Sequence, residues 1–162
     1  MALWQFDIHL LPKSEVLSEL GQLPQQMDRD VFDEHSWWLH YQPIAQLLSR
    51  LSEVLVEGKS WSPDIKTWGT EDGNRVDVVF ECERIVDVFV RFDVRNLQRT
   101  FVTQITNIAQ DLALVAFAPG MKVVEMEMGK LIPLITTSDA AHFVENPEKF
   151  FREWTDRSAD GA

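Results

Sequence analysis

The chain has 162 residues, enough for one domain, and with 45% apolar and 25% charged residues it has the composition of a folded globular protein. Its net charge of −11 comes with no basic stripe to neutralise phosphates, which excludes nucleic acid as the expected partner and favours a basic protein. The longest apolar run, Leu112–Ala118, is far short of the ~20 residues a membrane helix needs, so no membrane partner is expected; the single cysteine, Cys82, allows no internal disulfide, which fits the cytoplasm.

The opening residues alternate in polarity, which predicts a strand over 2–10. Trp4, Phe6, Ile8 and Leu10 fall on one side of it, and Gln5, Asp7 and His9 on the other. No basic stretch precedes them, so a strand rather than a signal peptide is expected. Ser14 is placed to cap a short helix over 15–20 that Gly21 stops. Residues 21–36 have no period and are expected to form a long loop. Pro43 opens a helix whose Ile44, Leu47, Leu48, Leu51 and Leu55 recur at helical spacing and which ends near Gly58.

Residues 64–96, "DIKTWGTEDGNRVDVVFECERIVDVFVRFDVRN", alternate apolar and charged side chains over two long runs. Asp72-Gly73 predicts a two-residue hairpin turn that pairs Glu71 with Asn74, and hence Trp68 with Asp77 and Lys66 with Val79. Val76, Val78, Phe80 and Cys82 then share the core face with Ile65 and Thr67. On the next strand Val86, Val88, Val90, Phe92 and Val94 point inward. Matching inward to inward places Val78 opposite Val90 across a loop Glu83-Arg84-Ile85. Asp77 then lies opposite Arg91, Val79 opposite Phe89, and Glu81 opposite Asp87. The charges of this stretch face away from the helices, and Trp68, Val79 and Phe89 share that face with them.

Asn96 is expected to cap a helix over 97–110 whose Phe101, Ile105, Ile108, Ala109 and Leu112 form one buried stripe. "LALVAFA" then reads as a central strand buried on both faces, reached by a right-handed crossover that implies a parallel neighbour. Residues 122–128 add an edge strand. Ser138 and Asn146-Pro147 open two closing helices, with Phe150, Phe151 and Trp154 gripping the body and Trp4 and Trp154 in the core. Trp37 and Trp38 are adjacent, so an extended segment sends them to opposite sides. The expected fold class is α+β: a mixed, mainly antiparallel sheet with helices packed mostly on one face, in a single domain over 1–157 with a frayed tail over 158–162.

Chemistry-bearing motifs are sparse. His35 and His40 flank "SWWL" at a spacing that places them on different faces, with no third ligand nearby, and "DRDVFDEH" lacks the Gly and distal Glu of a calcium loop. No metal, no cofactor and no catalytic residue is expected. Asp7 and His9 share the polar side of the first strand, where an imidazole beside a carboxylate has the makings of a general acid–base pair, but no nucleophile accompanies them. Cys82 points into the predicted core, where cysteines are inert.

Trp68-Gly69 with Asp72-Gly73-Asn74, "VRFDVR" over 90–95 and "SDAAHFVENPEKF" over 138–150 together resemble small bacterial α+β proteins, some of them grouped with the immunity proteins of toxin systems. The resemblance covers about half of the chain. It implies a cytoplasmic, non-enzymatic, acidic binder, often of a basic toxin domain, and carries over no catalytic residue. The binding surface expected from the residues themselves is the outer sheet face: Trp68, Val79, Phe89, Arg91 and Asp77, an apolar centre ringed by charge. The alternatives are burial of these aromatics under the 21–36 segment or a closing helix, a small-molecule site or enzyme at Asp7/His9, and a homodimer through the sheet face.

Overall fold

The structure, a computed structural model, describes residues 2–160. In chain order its elements are β1 (Gln5–Pro12), α1 (Lys13–Leu20), α2 (Arg29–Glu34), α3 (Ile44–Val54), β2 (Glu57–Gly58), β3 (Ile65–Gly69), β4 (Arg75–Glu81) and β5 (Arg84–Asp93). A 3-10 turn at Val94–Asn96 leads into α4 (Arg99–Asp111), β6 (Leu114–Ala118), β7 (Lys122–Glu125), α5 (Met128–Thr136), α6 (Asp139–Glu145) and α7 (Pro147–Asp160). This is an α+β fold built on one seven-stranded sheet of order β2-β3-β4-β5-β1-β6-β7.

Every strand pairing is antiparallel. The expected parallel neighbour of β6 is absent because β1 is inserted between β5 and β6 and pairs antiparallel with both. β5 and β6 thus run in the same direction on either side of it, joined through α4. The inner face carries Phe6, Ile8, Val76, Val78, Val88, Val90 and Phe92, all buried, against Leu47 and Leu51 of α3 and Phe101, Ile105 and Ile108 of α4. The apolar spacing of both helices and of β6, all of whose residues are buried, thus serves the packing it predicts.

Both hairpins depart from the expected register. Asp72-Gly73 lies within a longer loop, Thr70–Asn74, closed by Thr70 N–H donating to the Asn74 carbonyl at 3.2 Å. Gly69 enters that loop at φ +91°, where a Cβ would run into the Asn74 carbonyl, so only glycine fits. β3 therefore slides by one residue: Trp68 pairs with Val76 and Thr67 with Asp77. The slip reverses the facing of the strand. Trp68, expected on the outer face, is 1% exposed in the core, with its indole N–H donating to Ser52 Oγ of α3 at 3.0 Å. Thr67, expected inward, turns to the outer side, where it is 5% exposed among its neighbours. Facing the tryptophan rather than the threonine to the core places far more apolar surface there.

Between β4 and β5 the expected three-residue loop is a two-residue turn, Cys82-Glu83, with φ of 49° and 62°. Both values are positive, as the tight primed turn requires. Cys82 is accordingly exposed at the turn rather than buried. Val86 is the extra residue of a bulge beside Val79/Phe80 and is exposed, while Ile85 turns into the core. Beyond the bulge Val78 pairs with Val88, Asp77 with Phe89, Val79 with Asp87 and Arg75 with Arg91. The offset from expectation is two residues, so the strand keeps its facing and Phe89 and Arg91 remain outside.

Other local expectations are corrected. α1 begins directly after Pro12 without a Ser14 cap, although Gly21 ends it in the left-handed conformation. Asn96 belongs to the 3-10 turn, and Gln98 precedes α4 without a side-chain cap. Ser138 does cap α6, accepting from Ala141 N–H at 3.2 Å. Of the closing aromatics, Phe150 is buried, but Phe151 and Trp154 are exposed. Trp37 and Trp38 are both buried. α7 continues to Asp160, through part of the expected tail, and 161–162 lie outside the described residues.

Candidate functional site

The 21–36 segment, expected to be a loop, contains α2 and lies across part of the outer face. Leu11, Val115 and Phe117 point away from α3 and α4 yet are buried. Phe32 of α2 stacks on Phe117 at 4.4 Å between ring centroids and approaches the His9 ring at 4.8 Å. Trp37 donates its indole N–H to the Phe32 carbonyl at 3.0 Å, and Met27 N–H donates to the Met121 carbonyl at 2.9 Å. The segment is held at its far end by Glu15 of α1, whose carboxylate lies 3.0 Å from His35 Nε2 and 3.2 Å from His40 Nδ1. Burial works against the Glu15 charge, but the hydrogen bonds from His35 and His40 outweigh it and hold the carboxyl below its ordinary value.

What stays uncovered is the outer face of β3, β4, β5 and the first half of β1. The register arranges it in rows. One runs Arg75, Arg91, Asp7; the next runs Thr67, Asp77, Phe89, His9. Within this lattice Asp7, Asp77 and Asp87 each have a hydrogen-bonding neighbour. Asp77 Oδ1 accepts from Thr67 Oγ1 at 2.7 Å and from Arg75 Nε at 3.0 Å. Arg91 Nε donates to Asp7 Oδ1 at 3.0 Å, and its guanidinium lies 5.4 Å from the centroid of the Phe89 ring. His9 Nδ1 lies 3.0 Å from Asp87 Oδ1, and since a carboxylate only accepts, Nδ1 carries the proton. The His9 ring meets Phe89 edge-on at 5.2 Å. The Arg75, Asp77, Arg91 and Asp7 side chains are only 11–17% exposed because they lie flat on one another.

Of the five expected surface residues, then, the fold brings Val79, Phe89, Arg91 and Asp77 together on the outer face and removes Trp68 to the core. Asp77 adjoins Phe89 rather than Arg91. Arg75, Thr67 and Asp7 complete the lattice. Arg75 shares the facing of Asp77 two residues on, a signal the alternation already holds; Thr67 could not be placed without the true loop length.

At the covered edge of this face a cleft of about 330 Å³ opens between Arg29 of α2 and the Pro119–Met121 turn, floored by Asp7, His9, Phe89 and Phe117. It brings Asp7 and His9 together as expected, but Asp7 is engaged by Arg91 and His9 by Asp87, and no Ser, Thr or Cys lines it. Among the described residues no group of three or more His, Cys, Asp and Glu side chains is placed to hold a metal ion, and no helix is long and apolar enough to cross a membrane. Compared with protein-family models, with curated proteins and with solved structures, the chain matches none.

Proposed function

We propose that the protein is a non-enzymatic, cytoplasmic binding protein that holds a protein partner on the uncovered outer face around Phe89, Val79, Arg91 and Asp77. The observation that supports this best is the pairing of Asp7, Asp77 and Asp87 within a lattice around Phe89. Side chains already locked lose little freedom on association, and an aromatic ring flanked by paired charge gives a partner something to bury. The net charge of −11 favours a basic partner, as does the resemblance to immunity-type inhibitors of toxin domains. With Asp7 and Asp77 paired to arginines, the excess negative charge acts mainly from around them and speeds approach rather than making the contact.

The test is partner capture from the native host by tagged protein, identification by mass spectrometry, and titration of the identified partner. Phe89→Ala should weaken binding at least about tenfold while moving the melting temperature by no more than about 3 °C. Unchanged affinity in a folded Phe89→Ala protein would remove the face from consideration. A second reading is supported by the cleft beside His9: its Nε2 is left over once Nδ1 is engaged, and two phenylalanine rings form the floor. A small ligand held there would be lost in His9→Ala with protein-partner binding intact.

A further inference from the structure

We propose that the free edge of the sheet at β2 pairs with the same edge of a second copy of this chain. β2 ends the sheet, and no described segment pairs with its outer side. Gly69 N–H donates to the Val56 carbonyl at 2.9 Å, so by the alternation of an antiparallel ladder Val56 and Gly58 address β3 while the N–H and C=O of Glu57 point outward. Natural edges are blunted by charge or proline. This one carries one charge of each sign, Glu57 and Lys59, and is flanked by Val56, 84% exposed, and Trp61, 79% exposed, the two most exposed large apolar residues among those described.

The sequence "LVEGKSW" over 55–61 identifies the occupant. Antiparallel pairing of two identical edges is isologous and needs a two-fold axis. Centred on Glu57, that axis would set two like charges face to face. Centred on Gly58, it sets Glu57 opposite Lys59 of the second copy, and Lys59 opposite its Glu57. In that register Glu57 is in a pair that exchanges both backbone hydrogen bonds, as its outward-pointing N–H and C=O demand, and Gly58 meets Gly58 as the pair that exchanges none. Neither Glu57 nor Lys59 has an ion-pair partner among the described residues of its own chain. The two copies then share one continuous antiparallel sheet.

The edge is short, so the association belongs with small, transient interfaces. It is tested by sedimentation velocity from roughly 10 µM to roughly 1 mM, the range where such contacts populate. The wild type should pass from monomer towards dimer across that range. Glu57→Lys, which sets lysine against lysine, should remain monomeric, and so should Lys59→Glu. The double variant Glu57→Lys/Lys59→Glu should dimerise again, because exchange of the charges restores both pairs. All four proteins are compared by thermal melting, since these side chains lie in solvent and their exchange leaves the fold intact. A wild type that stays monomeric at ~1 mM, a dimer indifferent to Glu57→Lys, or a folded double variant that fails to recover would each overturn the pairing. None of these residues belongs to the outer face around Phe89, so the two proposals stand or fall separately.

Discussion

Asp77 organises the outer face because one of its carboxylate oxygens accepts from two neighbours, Thr67 on β3 and Arg75 on its own strand. Removing it leaves the half-buried Arg75 guanidinium without its partner, so Asp77→Ala should cost about 1–3 kcal/mol in chemical denaturation. Thr67→Val, which removes one donor and leaves the ion pair, should cost less. Trp68 has the opposite character. It is fully buried and hydrogen-bonded to Ser52, so Trp68→Ala should cost about 3–5 kcal/mol, as a core aromatic does, and not behave as a surface contact. The alternation of 64–69 is visible in the sequence, but which half of it faces the core depends on a single residue of register. That residue is set by the Thr70–Asn74 loop, closed through Gly69, where the Asp72-Gly73 pair by itself signals a shorter turn. Phe89 and Arg91 were legible because their strand is offset by an even number, which preserves facing.

Among the elements, the 21–36 segment has the largest effect on what the sheet can present. It closes over the β1–β6 part of the outer face through Phe32 and is clamped at His35 and His40 by Glu15. Phe32→Ala should cost about 2 kcal/mol, less than a fully buried phenylalanine, and should raise amide exchange in α2 and across Leu11 while sparing β3 and β4. Loss of stability without that local pattern would mean that the ring is not what holds the segment down. The clamp also has a pH signature. Glu15 titrates lower in the folded chain than its ordinary 4.5, so its contribution is fully present above about that pH and is lost as pH falls through the lowered folded value. Glu15→Gln should accordingly be less stable than wild type at neutral pH, with the gap closing as the medium turns acid. α3, α4 and β6 are readable from spacing alone, since each buries a continuous stripe or run. α2 has only six residues and no buried one, so it leaves no period to read; its position follows from one stacked ring.

At the scale of the whole molecule, α3 and α4 pack on the inner face, the 21–36 segment with α2 takes part of the outer one, and the remainder is a lattice of polar and charged side chains around Phe89. That division accounts for the alternation of 75–93: the apolar half builds the core, and the charged half lines the uncovered face, with Asp77 and Asp87 held by neighbouring side chains. The insertion of β1 between β5 and β6 was beyond the reach of local pattern, because nothing in the spacing of a strand says which neighbour it takes. The claim that the lattice is the working surface is tested most directly by photo-crosslinking in the native host. A photoreactive residue is placed at Val79, and in a separate protein at Phe151, which is more open but lies on α7. The account predicts one discrete covalent adduct from position 79, lost when Phe89→Ala is added, and no such adduct from position 151. An adduct from 151 alone, or one from 79 that survives Phe89→Ala in a folded protein, would contradict it.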